Sequence, residues 1–95
     1  MNENNVRVYI SEGNKDCDQV LQLLDNKNVP YVVKNVTKHP ENMKELQMQG
    51  IYGTPATFIG DETEPILGYQ EEKLNLTLGV LDKDYLLNTN PDNDA

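Results

Sequence analysis

The chemistry open to this chain is set by one thiol. Cys17 is its single cysteine and His39 its single histidine, so an internal disulfide cannot form and a closed Cys/His zinc site cannot be assembled. Thiol/disulfide exchange needs a thiolate that reaches the target sulfur, and the dithiol version needs a second thiol to release the mixed disulfide. Cys17 closes the tetrapeptide Asn14-Lys15-Asp16-Cys17, which opens an expected helix just after an expected strand. Backbone N–H groups and the helix dipole at such a place can hold a thiolate at depressed pKa. The first position of the tetrapeptide, however, carries an amide.

Both residues have two readings. Asn is among the best N-cap residues, worth about 1 kcal/mol against Ala, so Asn14 caps the helix. It can at the same time line a groove that binds a thiol, peptide or small acid without bonding to it covalently. Cys17 shares a helical face with Val20, Leu21 and Leu24, which points it into the core, where a free cysteine behaves as a small hydrophobe. Asp16 and Asp18 oppose its ionisation, while Lys15 and the helix N-terminus favour it. The remaining candidates are weaker. His39, next to Pro40, reads as solvent-exposed; Asp61, Glu62 and Glu64 read as a solvated acidic turn and not a metal site; Tyr9, Tyr31 and Tyr52 read as side chains packed at strand ends.

The elements that must position these residues follow from periodicity. Val6 to Ile10 alternates as a strand, Ser11-Glu12-Gly13 breaks it, and a helix of about three turns runs from about Lys15 to a stop at Asn26-Lys27-Asn28. Tyr31 to Val36 is a β-branched second strand entered through Val29-Pro30. Pro40 suits the first position of a second helix that ends before Gly50, with Met43 and Leu46 facing the sheet. Ala56 to Ile59 gives a third strand, paired as a hairpin through an acidic turn with a short fourth strand at Pro65 to Leu67. From Gln70 to Leu78 the leucines fit a strand or a helix, and Glu71 and Glu72 near the start favour helix. Beyond residue 81, Tyr85 and Leu87 are the last apolar residues of note, and the polar run that follows reads as a disordered tail.

With 95 residues and a net charge of −8, the chain is expected to form one small domain over residues 1–81, followed by a tail over 82–95. The charge argues against nucleic acid and anionic membranes, both of which require clustered Lys and Arg. No apolar run reaches the length of a membrane span and the polar start is no signal peptide. A monomer in the cytoplasm is the expectation.

The order β-α-β-α-β-β-α, with Val8-Tyr9 in the first strand and Gly53-Thr54-Pro55-Ala56-Thr57-Phe58-Ile59-Gly60-Asp61 before the hairpin, resembles the glutaredoxin-like branch of the thioredoxin fold. Within it the chain is most similar to the short redoxins that serve ribonucleotide reductase, through the spacing of Tyr9, Cys17, Tyr31 and Pro55. The likeness covers roughly Asn5 to Leu81. It implies an α/β thioredoxin fold, a four-stranded mixed sheet with helices on both faces. It also implies that Asn14 stands at the position of the nucleophilic first cysteine and Cys17 at that of the second, that Thr54-Pro55 is a cis-proline motif offering backbone groups to an extended substrate, and that Gly68 and Tyr69 border the same groove. Glu12 and Gly13 stand where glutathione-using members often carry a Lys, and a Gly-Gly-x-Asp-type sequence is absent around Leu67 to Gln70. Glutathione binding is therefore expected to be weak at best, with no iron–sulfur cluster, no metal and no other cofactor. The function the resemblance implies is cellular thiol/disulfide chemistry with a thiol- or disulfide-bearing small molecule or protein, limited to a lone-thiol activity of Cys17. The alternative is a redox-inactive binding or regulatory module.

Overall fold

The computed structural model describes residues 6–60 and 64–81. Their order is β1 (Val6–Ile10), α1 (Lys15–Asn26), β2 (Val32–Asn35), α2 (Pro40–Gln47), β3 (Ala56–Ile59), β4 (Ile66–Leu67) and α3 (Glu71–Leu81). The four strands form one sheet in the order β2-β1-β3-β4. β1 and β2 are parallel, joined by the crossover helix α1 that a parallel pair requires. β3 runs antiparallel to both β1 and β4. This is the mixed α/β sheet of a thioredoxin fold.

Strand alternation divides the apolar residues between two cores. Val6, Val8, Ile59 and Ile66 meet Val20, Leu23 and Leu24 of α1 and Leu74 and Leu78 of α3 on one face. Tyr9, Val36, Ala56 and Phe58 meet Leu46 of α2 on the other, with Met43 and Ile51 packed at its margin. The helices thus cover both faces, α1 and α3 together and α2 alone. Met43 and Leu46 face the sheet as their spacing predicts.

Several expected boundaries shift. β2 is shorter at both ends than the expected Tyr31 to Val36. The Tyr31 hydroxyl donates to Asp25 at 2.7 Å, and a turn held by Asn35 Oδ1, which accepts from Thr37 N and Lys38 N at 2.9 Å each, starts before Val36. β4 loses Pro65, which has no N–H to offer a ladder. α2 begins at Pro40, and Gly50 follows it in a left-handed conformation at φ +80°. The segment open to either reading is helical: Leu74 and Leu78 are buried while Leu76 is 70% exposed, the signature of a 3.6-residue period. Tyr9 and Tyr31 pack as expected, but Tyr52 is 72% exposed; it follows α2 in a segment that leads towards β3 without belonging to it. The acidic turn at Asp61 and Glu62 and the tail beyond residue 81 lie outside the described residues.

Candidate functional site

The site is assembled where β1 gives way to α1. Gly13 adopts φ +75° in the turn, a region that costs a residue without Cβ little, and Asn14 follows in extended conformation as the N-cap of α1. Its Oδ1 accepts from the N–H groups of Asp16 at 2.9 Å and Cys17 at 3.3 Å. Its Nδ2 donates to the Thr54 carbonyl at 3.4 Å. One carboxamide therefore caps the helix and ties it to the segment before β3. A second tie joins the Ser11 and Thr54 hydroxyls at 2.7 Å.

The turn is also held from the β2 side. Glu12 N–H donates to Thr37 Oγ1 at 3.0 Å, and the Glu12 carboxylate accepts from Asn35 Nδ2 at 3.1 Å with Lys38 Nζ 3.9 Å away. The Thr54–Pro55 peptide is cis. Pro55 is buried and its carbonyl accepts from Gly68 N–H at 2.8 Å.

The sequence-derived residues are thus brought together unequally. Asn14, Thr54, Pro55 and Gly68 form a chain of direct or successive contacts, and Cys17 joins it through its backbone N–H. The Cys17 side chain is 1% exposed, pointing inward as its spacing predicts. Tyr69 is turned elsewhere: it packs on the α1/α3 core and lines a cleft of about 350 Å³ together with Gln19, Gln22, Asn26 and Asn75. His39 is exposed at the N-cap of α2, with Nδ1 3.8 Å from Glu41. Among the described residues no group of three or more His, Cys, Asp or Glu is placed to hold a metal ion, and no helix is long and apolar enough to cross a membrane.

Sequence reading missed two features. Ser11, read there only as part of a break, contacts Thr54 directly; a hydroxyl three residues before an N-cap gave no signal of a partner 43 positions away. Under α2, the Tyr9 hydroxyl donates to Glu45 Oε1 at 2.8 Å and Lys34 Nζ lies 3.4 Å from the same oxygen. Tyr9 packs edge-on against Phe58 with centroids 5.6 Å apart, and the Arg7 guanidinium sits 5.1 Å over the Phe58 ring. Burial and the bond to Glu45 push the Tyr9 phenol above its ordinary pKa. The same bond, with Lys34 and Arg7 nearby, holds the Glu45 carboxyl below its own, against a smaller opposing effect of desolvation.

Chemically, the helix N-terminus is already occupied. Asn14 Oδ1 takes up N–H groups of the first turn, an arrangement in which a thiolate would also be stabilised, but an amide oxygen cannot attack a disulfide. The one thiol lies behind it, out of solvent.

The sequence model of the family described as Glutaredoxin matches residues 6–63. The Gene 56 protein of Mycobacterium phage D29 is 29% identical over 70 residues, which span 74% of this chain and 78% of that protein. Among solved structures, the thioredoxin-like protein BC3987 superposes with a TM-score of 0.68 at 29% identity, covering 76% of this chain and 97% of that one. A glutaredoxin from Archaeoglobus fulgidus gives 0.67 at 28% identity, covering 78% and 85%.

Proposed function

Because this chain belongs to the glutaredoxin family, we propose that it keeps the binding surface of a redoxin without the dithiol reaction. In this reading it is a non-covalent module for a thiol- or disulfide-bearing protein or an extended peptide, working in the cytoplasm. Asn14, Thr54 and Gly68 border the groove above the buried cis Pro55, and Tyr69 stands one residue beyond it. The observation that carries the reading is the state of the two positions of the tetrapeptide. Asn14 is engaged through both ends of its carboxamide, and Cys17 is 1% exposed, so neither is available for attack on a sulfur. Thr54 N–H faces no acceptor among the described residues, which leaves a donor for the carbonyl of an incoming strand.

The second reading, a lone-thiol activity of Cys17, has one observation in its favour. The residue lies in the first turn of α1, beside the Asn14 cap that ties the helix to Thr54. The pH dependence of Cys17 alkylation, native against denatured, separates the two. Strong protection in the native protein supports the binding module. A native rate equal to the denatured one, with a midpoint below about 7.5, favours the lone thiol. Amide shifts on adding extended peptides with and without a cysteine should cluster at Thr54, Gly68 and Tyr69; a flat titration across both sets counts against the groove.

A further inference from the structure

Helices α1 and α3 leave between them the cleft of about 350 Å³, and carboxamides line it from both sides. Gln19, Gln22 and Asn26 come from α1, at offsets of three and seven residues that place them along one face of the helix, and Asn75 comes from α3. None of these four side chains makes a hydrogen bond among the described residues. Carboxamides elsewhere in the chain are used differently: those of Asn14, Asn35, Asn42 and Gln70 each bond to backbone groups.

Asn75 is the member of the set that costs the fold something. Its Oδ1 is out of solvent and has no hydrogen-bond partner among the described residues, so its desolvation is uncompensated. Asn is also a poorer residue for a helix interior than Ala or Leu. Two positions on, Thr77 satisfies its hydroxyl by bonding back to the Lys73 carbonyl at 2.8 Å, whereas Asn75 makes no such bond. An exposed amide on a helix is satisfied by water and needs no explanation. One with an orphaned buried end, between the core residues Leu74 and Leu78, gives the fold nothing that a leucine would not give better.

A carboxamide sets a donor and an acceptor side by side in one plane. Its complement is a heterocycle edge on which an acceptor adjoins a donor, as N7 of adenine adjoins the amino group. The cleft has an apolar side for the ring face as well, where Leu23 and Tyr69, both packed in the α1/α3 core, line it. Its volume is that of a small-molecule site. The charged residues lining it are Lys27 and Glu71, one of each sign, in a chain of net charge −8, so nothing there selects a phosphate.

The geometry points to this cleft as a binding site for an uncharged heterocycle of the adenine type, as the free base or the nucleoside. The carboxamides of α1 and α3 read its edge, and Asn75 is held in place for that purpose. The site is separate from the groove at Thr54, which it meets only at Tyr69.

The test is a titration of the full chain with adenosine to about 5 mM, followed by two-dimensional amide NMR in about 0.05 M NaCl. Saturable shifts should appear in the side-chain NH2 groups of Gln19, Gln22, Asn26 and Asn75 and leave Thr54 unmoved. Adenosine monophosphate should bind at least about threefold more weakly, because of its charge, and myo-inositol, a polyol with no heterocycle edge, should shift nothing. Asn75→Leu should keep or raise the urea midpoint and weaken adenosine binding at least about tenfold; Gln22→Ala, at an exposed position the fold tolerates, should weaken it at least about threefold. Shifts that do not saturate or that centre on Thr54 and Gly68, monophosphate binding as tight as the nucleoside, or undiminished binding in both variants overturns the proposal.

Discussion

Asn14 makes three hydrogen bonds with one carboxamide, two to its own helix and one to the segment before β3. Its removal should therefore cost more than an ordinary cap. Asn14→Ala is expected to lower stability by about 1 to 2 kcal/mol, measured as a lower urea midpoint at unchanged slope. Asn14→Asp keeps the acceptor and loses the donor to Thr54, and should fall between the two. The position also carries a sharper test of ancestry in chemistry. Asn14→Cys creates a second thiol three residues before Cys17, and the pair should close to a disulfide on mild oxidation, read as loss of both free thiols. A folded variant that keeps two free thiols would show that the Cys17 sulfur is directed too far into the core to meet its neighbour.

At the scale of elements, α2 is fastened to the sheet by one carboxylate. Glu45 accepts from the Tyr9 hydroxyl and faces Lys34, and the opposite shifts of Tyr9 and Glu45 are two expressions of that contact. Their signs differ in pH. The Glu45 contribution is present above the ordinary carboxylate pKa and is lost as pH falls through its depressed folded value. The Tyr9 contribution is complete below the ordinary phenol pKa and is lost as pH rises through the raised folded value. Glu45→Gln should bring the Tyr9 phenol back towards its ordinary pKa, seen as an earlier phenolate absorbance rise in spectrophotometric titration. An unmoved titration would mean that burial alone sets it. On β3, Thr57 is fully buried and its hydroxyl has no hydrogen-bond partner among the described residues. Since such a group carries the cost of desolvation uncompensated, Thr57→Val is expected to raise stability by about 1 kcal/mol.

For the whole molecule, two cores on opposite faces of a four-stranded sheet leave most charge on the outside, and sixteen acidic residues face eight basic ones. Self-repulsion at this imbalance destabilises the compact state and is screened by salt. Moderate NaCl should therefore raise the thermal midpoint by a few degrees, whereas a protein whose stability rested on surface ion pairs would lose it. The pairs among the described residues, Lys34–Glu45, Lys38–Glu12 and His39–Glu41, are partly or largely exposed and worth little individually.

Local spacing along the chain was enough for the element order, the inward turn of Cys17, the cap at Asn14 and the assignment of Met43 and Leu46 to the sheet. Each of these depends on spacing of a few residues, where helical or strand geometry fixes which side chains share a face. The type of α3 was half legible, because alternate leucines satisfy both periods until burial separates Leu74 and Leu78 from Leu76. The contacts between distant segments came from packing alone: Ser11 and Asn14 with Thr54, Tyr9 with Glu45, Tyr69 turned to the α1/α3 cleft, and Tyr52 left in solvent. Such contacts join residues tens of positions apart, and which pairs meet is set by how strands order themselves in a sheet and how helices settle on its faces, which no local period encodes.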